Sequence, residues 1–369
     1  MNLYKILLIL ATIALICSIC ICNKNDIENF VSYYSDDGVP STLLEQVMKE
    51  RGMNEDASNY DYYIPSNYDT CEADAKKLVG TSGKKMFLLD GCDMIASKMA
   101  LWALIKEYHG KDATKYMPAT YLLEEAKDVD NFPAHYKNNK NKRPDQMYVL
   151  KNYEQRQEGI KLTRNLDDVM NGLKDGWFLA QDYLYDPYLI SNHKINFRYY
   201  MLIVCADNNV SAYIHKDGFL YYTPKHYDAN DMDFNKHITT GYIDRKIYEE
   251  NPLTLQDFRD HLEKKQKGSS KYWDKQVENM FHNVMKAIKP KICNNKGLNN
   301  NVRFQIFGCD VAPSSNLEAR LMEINKGPDL DAKDERDKNV KLTMQRDIFK
   351  IIDPATPDEK MNTRFVKIY

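Results

Sequence analysis

The sequence predicts an α/β protein in which mixed and antiparallel sheets are flanked by helices. One observation is a hairpin pattern, in which residues 304–311 and 320–325 read as strands on either side of the turn-forming run 313–316. Another is a set of helices with apolar residues three or four positions apart, at 94–108, 271–288 and 339–352. At 369 residues, the chain is long enough for two lobes with a substantial core.

Composition and charge narrow the function classes. Hydrophobic residues make up 43% of the chain and charged residues 28%, which is typical of a globular protein. The formal net charge of -2 gives no overall attraction to nucleic acid, so we expect no nucleic-acid partner. The basic run 137–143 is interpreted as a solvated loop. The cysteines of the body are scattered and predict neither a zinc site nor a disulfide framework, which favours a reducing compartment.

Residues 1–25 are predicted to be a transmembrane anchor or a signal segment. An unbroken apolar run covers residues 6–22 and is just long enough to span a bilayer as a helix. We therefore expect membrane association through a single N-terminal segment, with the side of the membrane left open. Residues 26–70 are acidic and rich in Tyr, Ser and Asn, and they are predicted to form a tether.

Three oxygen-bearing side chains converge in the predicted hairpin. Glu323 and Asn325 lie two residues apart on one strand and therefore share a face, and the hairpin can set Asp310 opposite them. Two carboxylates and an amide oxygen are ligands that suit Mg²⁺. The alternative interpretation is an ordinary solvated hairpin face.

Upstream strands carry further candidate residues. Residues 148–151 form an apolar strand that ends in Lys151, a possible point charge for phosphates. Residues 177–183 are predicted to be a strand that becomes polar near Gln181.

Lys194, Asn196 and Arg198 alternate with apolar residues, so they share one strand face, either as part of a site or as a cross-strand polar row. Residues 198–205, 210–215 and 219–223 are predicted to form an antiparallel meander.

These segments, in this order, resemble the tubulin tyrosine ligase-like family of ATP-grasp ligases. The hairpin resembles the family's FELxGxD and LLEVNxxP patterns, and residues 186–198 resemble its NPxLIxxRKFDxR pattern. A weaker match to IxKPxxxxRGxGI includes Lys151, Arg156, Gly159 and Ile160. The resemblance covers residues 98–352, although Lys98 itself is interpreted as a surface lysine.

The resemblance implies an ATP-grasp fold with the nucleotide cleft between lobes. The N-terminal lobe would be 71–145, the nucleotide-binding and catalytic region 146–355, and the C-terminal tail 356–369. It implies an ATP- and Mg²⁺-dependent ligase that adds an amino acid to an acceptor protein through an acylphosphate, as polyglutamylases do, with tubulin suggested by the family alone. Arg198 would be catalytic, and Asp310, Glu323 and Asn325 would bind the metal. The residues implied to hold ATP are Lys151, Arg156, Gln181, Lys194, Asn196 and Thr240.

Several positions depart from the family pattern. Asn196 stands where an aspartate is expected, and Tyr221 where an arginine would bind the carboxylate of the incoming amino acid. Gln157 and Thr240 also differ from the pattern. The second hypothesis is therefore a membrane-tethered, inactive nucleotide- or protein-binding module with the same fold.

The compartment of the body is left open by the sequence. Use of ATP favours the cytosol, whereas Lys5 before the apolar run weakly favours the opposite side of the membrane. Residues 209–211 form an Asn-Val-Ser glycosylation sequon, which is relevant only if the body is luminal.

Overall fold

The computed structural model describes residues 31–153 and 159–369, which form an α/β body with two sheets. The strands are β1 Ser32–Tyr34, β2 Asn54–Glu55, β3 Tyr62–Tyr63, β4 Lys85–Met86, β5 Thr120–Leu122, β6 Tyr148–Lys151, β7 Ile160–Thr163, β8 Leu179–Asp182, β9 Leu189–Ile190, β10 His193–Ala206, β11 Asn209–His215, β12 Phe219–Tyr222, β13 Val302–Pro313, β14 Ala319–Asn325 and β15 Phe365–Lys367. The helices are α1 Thr42–Glu50, α2 Cys71–Lys77, α3 Cys92–Ala96, α4 Lys98–His109, α5 Ala126–Lys142, α6 Leu166–Met170, α7 Phe234–His237, α8 Ile247–Glu250, α9 Leu255–Lys265, α10 Ser269–Ile288, α11 Glu335–Ile352 and α12 Pro357–Met361. Short 3₁₀ segments lie at Gly110–Lys115, Lys289–Lys291 and Lys296–Leu298.

The large sheet is built around β10 and β13. Its main path is β15-β11-β10-β13-β4-β3-β1-β2, with β12 and β9 paired to β10 and β14 paired to β13. The antiparallel register of β10 and β13 sets Arg198 directly opposite Asp310. Alternate residues of β10, including Phe197 and Tyr199, are fully buried, so the intervening polar residues share the other face.

The small sheet has the order β5-β8-β6-β7, and its strand pairs are antiparallel. Helix α5 covers one face, where Phe132 packs with Leu150 and Ala180 in a separate apolar cluster. Lys151 ends β6, and its pKa is influenced by Glu323 of β14 and Asp310 of β13, so this end of the small sheet lies near the β13–β14 hairpin of the large sheet. The ATP-grasp resemblance implies a nucleotide cleft at this place.

The predicted helical stripes are largely confirmed. In α10 the residues with the predicted spacing are all buried, namely Trp273, Val277, Phe281, Val284 and Ile288, and in α11 so are Val340, Met344, Ile348 and Ile351. The predicted helix 94–108 is instead two helices, because Ser97 has an extended backbone and caps α4 by accepting a hydrogen bond from Ala100 N. Tyr108 has the spacing of the apolar stripe of this segment but is 54% exposed.

The tether predicted for residues 26–70 is wrong from residue 31 onward. Helix α1 buries Leu44 and Val47 completely, and Tyr62 and Ile64 are also buried in the main core. Strands β1, β2 and β3 extend the large sheet in parallel, although each has only two or three residues. The helix does have a local signal that the tether prediction missed, since Leu43, Leu44, Val47 and Met48 follow a helical spacing after the N-cap Ser41. The two- and three-residue strands around it are too short to show an alternating pattern.

Two further expectations are corrected. Residues 137–142 of the basic run lie within α5 rather than in a loop, and Arg143 is the C-cap of this helix. Cys205 and Cys293 form a disulfide between β10 and the segment after α10, whereas no disulfide was expected. Their separation of 88 residues in sequence explains why spacing gave no signal.

The predicted anchor, residues 1–25, lies outside the described residues. Within 31–153 and 159–369, no helix is long and apolar enough to cross a membrane. The C-terminal segment ends in β15, which pairs with β11 and buries Phe365.

Candidate active site

The β13–β14 hairpin brings the three predicted metal ligands together. Asp310 pairs with Glu323, and Gly308 pairs with Asn325, with a bulge after Asp310. Asn325 Nδ2 donates a hydrogen bond of 3.2 Å to Glu323 Oε1, so the amide oxygen is left available. The structure thus places two carboxylates and one amide on one side of the hairpin.

The electrostatics of the two carboxylates fit a divalent cation. Burial raises the pKa of Asp310 to about 6, with Glu323 adding to the rise and Arg198 opposing it. Burial alone would raise the pKa of Glu323, but Lys151 and then Lys98 outweigh it and lower that pKa. Two buried carboxyl groups in contact repel each other once both are ionised, and a bound cation would relieve this repulsion.

Arg198 is directed at the same cluster. Its Nε donates to Asp310 Oδ1 at 2.6 Å and its Nη2 to Asp310 Oδ2 at 3.3 Å. Burial alone would lower the pKa of Arg198, but Asp310 and Tyr221 raise it well above its usual value, so the guanidinium stays charged. The Tyr221 ring covers the guanidinium, with the Arg198 Cζ 5.5 Å from its centre. A fixed cation beside a metal site can stabilise a transferring phosphoryl group.

Lys151 approaches the cluster from the small sheet. The residue is 7% exposed, and its Nζ donates to Gln181 Oε1 at 3.0 Å. Gln181 Nε2 in turn donates to Thr120 Oγ1 at 2.9 Å. Burial lowers the pKa of Lys151, while Glu323 acts to raise it and Lys98 to lower it. Gln181 therefore positions Lys151, and its side chain is committed to neighbouring strands rather than free for a ligand.

Lys194 supplies a second buried cation. Its Nζ lies 3.2 Å from the Tyr183 hydroxyl and 4.3 Å from the centre of the Tyr183 ring. The Tyr183 hydroxyl also contacts His237 Nδ1 at 2.9 Å. Burial, reinforced by Lys151, lowers the pKa of Lys194 to about 7. Two buried ammonium groups that repel each other form a site suited to an anion such as a triphosphate.

Asn196 carries a buried acceptor that has no partner within the described part of the chain. Its Oδ1 atom is buried and lacks a hydrogen bond, on the same strand face as Lys194 and Arg198. Buried polar atoms are normally paired, so an orphaned acceptor here fits a ligand hydroxyl or amine. Thr240 lies nearby, bridged to Tyr222 of β12 through a 3.2 Å backbone hydrogen bond. Arg156, predicted to bind nucleotide, lies outside the described residues.

A cavity of about 140 Å³ opens beside Arg198. We call it the Tyr221 pocket, and it is lined by Arg198, Phe219, Tyr221, Gly241, Tyr242, Arg245, Leu253, Asp329, Lys333, Asp337 and Lys341. Arg245 forms an ion pair with Asp334 through Nη2, while its Nε is buried and has no hydrogen-bond partner within the described residues. Lys341 is 3% exposed and forms an ion pair with Asp337 at 3.1 Å. Cationic side chains outnumber acidic ones along its wall, so the pocket suits an anionic group.

The cations around Tyr221 are not the basic residues that closely follow it in the sequence. Lys225 forms a surface ion pair with Asp233 at 2.7 Å, and neither Lys225 nor His226 lines the pocket. The cations that lie around Tyr221 instead come from residues 241–245 and from the segment after β14. Arg245 and Lys333 were missed because they belong to no local motif.

Lys98 was also misjudged as a surface lysine. It begins α4, is only partly exposed, and lowers the pKa of both Glu323 and Lys151. Its match to the family's helix was a single residue, which was too little to predict this position.

The match to a protein-family model decides the family. Residues 84–363 match the model of the tubulin-tyrosine ligase family, and this range includes the whole small sheet and strands β4 and β9 to β14 of the large sheet. The chain belongs to the tubulin-tyrosine ligase family. The ATP-grasp-like α/β fold expected from the resemblance is thereby confirmed.

Curated relatives of this family member are proteins named for tubulin modification. It is 26% identical over 52% of its length to the probable tubulin polyglutamylase TTLL9 of Rattus norvegicus, covering 42% of that protein. It is 24% identical over half its length to tubulin glycylase 3B of Drosophila melanogaster, covering 26% of that protein. It is 23% identical over 67% of its length to the probable tubulin polyglutamylase ttll-9 of Caenorhabditis elegans, covering 61%. The chain therefore spans less than half the length of the rat and fly relatives, at low identity.

Proposed function

We propose that this protein is an ATP- and Mg²⁺-dependent carboxylate-amine ligase that adds an amino acid to a protein. The observation that carries the proposal is the convergence of Asp310 and Glu323 from one hairpin with Arg198 of β10 and Lys151 of the small sheet. Membership of the family and the names of its relatives support the same reaction class.

In the proposed reaction, a carboxylate oxygen of one substrate attacks the γ-phosphorus of ATP, forming an acylphosphate and releasing ADP. The amine of the other substrate then attacks the acyl carbon and expels inorganic phosphate. The amine loses one proton to solvent, and a peptide or isopeptide bond remains. Neither step needs a side-chain nucleophile, which agrees with a site made of cations and oxygen ligands.

Each residue has a role in this proposal that follows from its position. Lys151 and Lys194 hold the phosphates as buried point charges, and Asn196 accepts a hydrogen bond from the nucleotide. Arg198 stabilises the negative charge of the phosphoryl group in flight. Asp310, Glu323 and Asn325 would hold Mg²⁺, whose chemistry is to neutralise charge on the phosphate oxygens.

The Tyr221 pocket is the proposed site for the amino acid. Its cavity lies beside Arg198, where the acyl group forms, and Arg245 offers an unpaired donor for a carboxylate. Glutamate and tubulin are proposed as substrates because relatives are named tubulin polyglutamylases. The change from arginine to Tyr221 predicts altered preference at this pocket rather than loss of the phosphate chemistry.

The experiment uses the full chain, purified in detergent, with radiolabelled ATP, Mg²⁺, single amino acids and candidate proteins including tubulin. We expect release of ADP that depends on one amino acid and an added mass of that residue on the acceptor. The Glu323→Gln variant should do neither, and Glu318→Gln, in the exposed turn of the same hairpin, should do both. If the chain binds ATP but releases no ADP with any substrate, the non-ligating module with the same fold is favoured instead.

A further inference from the structure

The tip of the β10–β11 hairpin combines a glycosylation sequence with a nearby disulfide. We propose that the folded body lies in an oxidising secretory compartment, where Asn209 carries an N-linked glycan and Cys205 stays joined to Cys293. This inference concerns a modification site and does not depend on the ligase activity. It does bear on the acceptor, because a luminal body would meet luminal proteins and not cytosolic tubulin.

The sequon is unique and accessible. Residues 209–211 are the single Asn-x-Ser/Thr sequence, with x other than proline, among all 369 residues. Asn209 is exposed, as are Asp207 and Asn208, which form the turn with positive φ angles of 48° and 62°. Asn209 Nδ2 donates a 3.2 Å hydrogen bond to Asp207 O. A glycan on Nδ2 leaves one N–H, so this bond can persist after modification.

The position also leaves room for a glycan. Strand β15 pairs with β11 only at Tyr213, Ile214 and His215, which lie away from the hairpin tip. Eight residues of β10 separate Arg198 from Ala206, the partner of Asn209, which corresponds to about 26 Å along the strand. A glycan at Asn209 therefore projects from the end of the sheet opposite to the candidate site and does not block it.

The disulfide independently indicates an oxidising environment. The Cα atoms of Cys205 and Cys293 are 6.0 Å apart, which is the usual separation for this bond. Such bonds persist in secretory compartments and are rare in the cytosol. The other cysteines within the described part of the chain, Cys71, Cys92 and Cys309, are free and buried.

The sequence supplies a route into that compartment. Residues 6–22 are an unbroken apolar run of the kind found in signal peptides and signal anchors, although they lie outside the described residues. The sequon, the disulfide and this run are separate features, and all of them fit a luminal body.

The test expresses the full chain with a C-terminal tag in eukaryotic cells and treats it with an endoglycosidase. We expect the untreated chain to migrate as a larger species that collapses to one smaller band on treatment. Asn209→Gln and Ser211→Ala should abolish the shift, whereas Ser211→Thr, which restores the sequon, should keep it. Asn208→Gln is the matched control, since it changes the neighbouring exposed turn residue and leaves the sequon intact.

A second readout follows the thiols. Free thiols are alkylated in intact cells before lysis, and peptides are analysed by mass spectrometry with and without reduction. We expect Cys205 and Cys293 in one cross-linked peptide that separates only after reduction. A chain without a glycan, or one in which both cysteines are alkylated without reduction, overturns the proposal. Neither result bears on ADP release, so failure here leaves the ligase proposal to its own test.

Discussion

The two halves of the candidate site differ in how closely they follow the family pattern. At the phosphate end, Asp310, Glu323, Asn325 and Arg198 occupy the motif positions and contact one another as expected. At the Tyr221 pocket, Tyr221 replaces the expected arginine, and the cations around it come from other segments.

The phosphate end and the pocket have different physical requirements. Phosphate and Mg²⁺ are the same in every reaction of this class, and they require hard oxygens and cations at fixed positions. An amino acid varies between enzymes, so the pocket needs only the right charge and shape, whichever elements supply them.

The largest effect is expected at the metal end. Glu323→Gln removes one of the two carboxylates, so we expect ADP release to fall about 100-fold or more, and the Mg²⁺ concentration for half-activity to rise. Steady-state ADP release over a Mg²⁺ titration measures both. Glu318→Gln should be unchanged, and similar losses in both variants would contradict a metal role.

A change in the Tyr221 pocket should alter the KM for the amino acid. Lys333→Ala removes a cation from its wall, and we expect the KM for the amino acid to rise about tenfold with little change in nucleotide affinity. Lys225→Ala is the matched control, because Lys225 pairs with Asp233 on the surface and does not line the pocket. An equal rise in KM for both variants would show that the pocket is wrongly placed.

Replacement of the buried Lys194 should increase the stability of the fold and weaken ATP binding. Because burial lowers the pKa of Lys194 to about 7, its charged form is disfavoured in the folded state. Lys194→Met should therefore raise the free energy of unfolding at pH 6 by about 1 kcal/mol while weakening ATP binding. Denaturant unfolding and calorimetry measure the two effects. A destabilised variant that binds ATP normally would contradict the role of Lys194.

A smaller effect is expected in the pH dependence of ATP binding. Free Lys194 loses its proton as pH rises through about 7, and a nearby phosphate would raise its pKa again. Binding at about pH 8 should then take up a proton, and affinity should fall as pH rises above 7. Calorimetry in buffers of different ionisation enthalpy detects the uptake. The Lys194→Met variant should lack it, and uptake that persists in that variant would assign it to another group.

The lowered pKa of Lys194 also determines how its contribution to the free energy of unfolding changes with pH. Its folded pKa is below the unfolded value, so the unfolded state binds more protons between about pH 7 and 10.5. The unfavourable contribution is present in full below pH 7 and diminishes as pH rises through this window. It therefore opposes folding most where ATP binding through Lys194 is strongest.

Local patterns were enough to predict much of the fold. The buried stripes of α10 and α11, the strand β6 and the β13–β14 hairpin follow from spacing within short segments. The cross-strand placement of Asp310 against Glu323 follows from a hairpin whose register is set by its own turn. The convergence of Asp310 and Glu323 could therefore be predicted from sequence, and their binding of a metal stays a prediction.

Periods of two and 3.6 residues in the sequence were enough to predict the main helices, the hairpin that sets Asp310 opposite Glu323, and the strand face shared by Lys194 and Arg198. The tertiary structure alone showed that β1 to β3 belong to the large sheet, joined Cys205 to Cys293 and gathered Arg245 and Lys333 around Tyr221. Those features join segments tens to hundreds of residues apart. Packing brings them together, and no local pattern encodes such contacts.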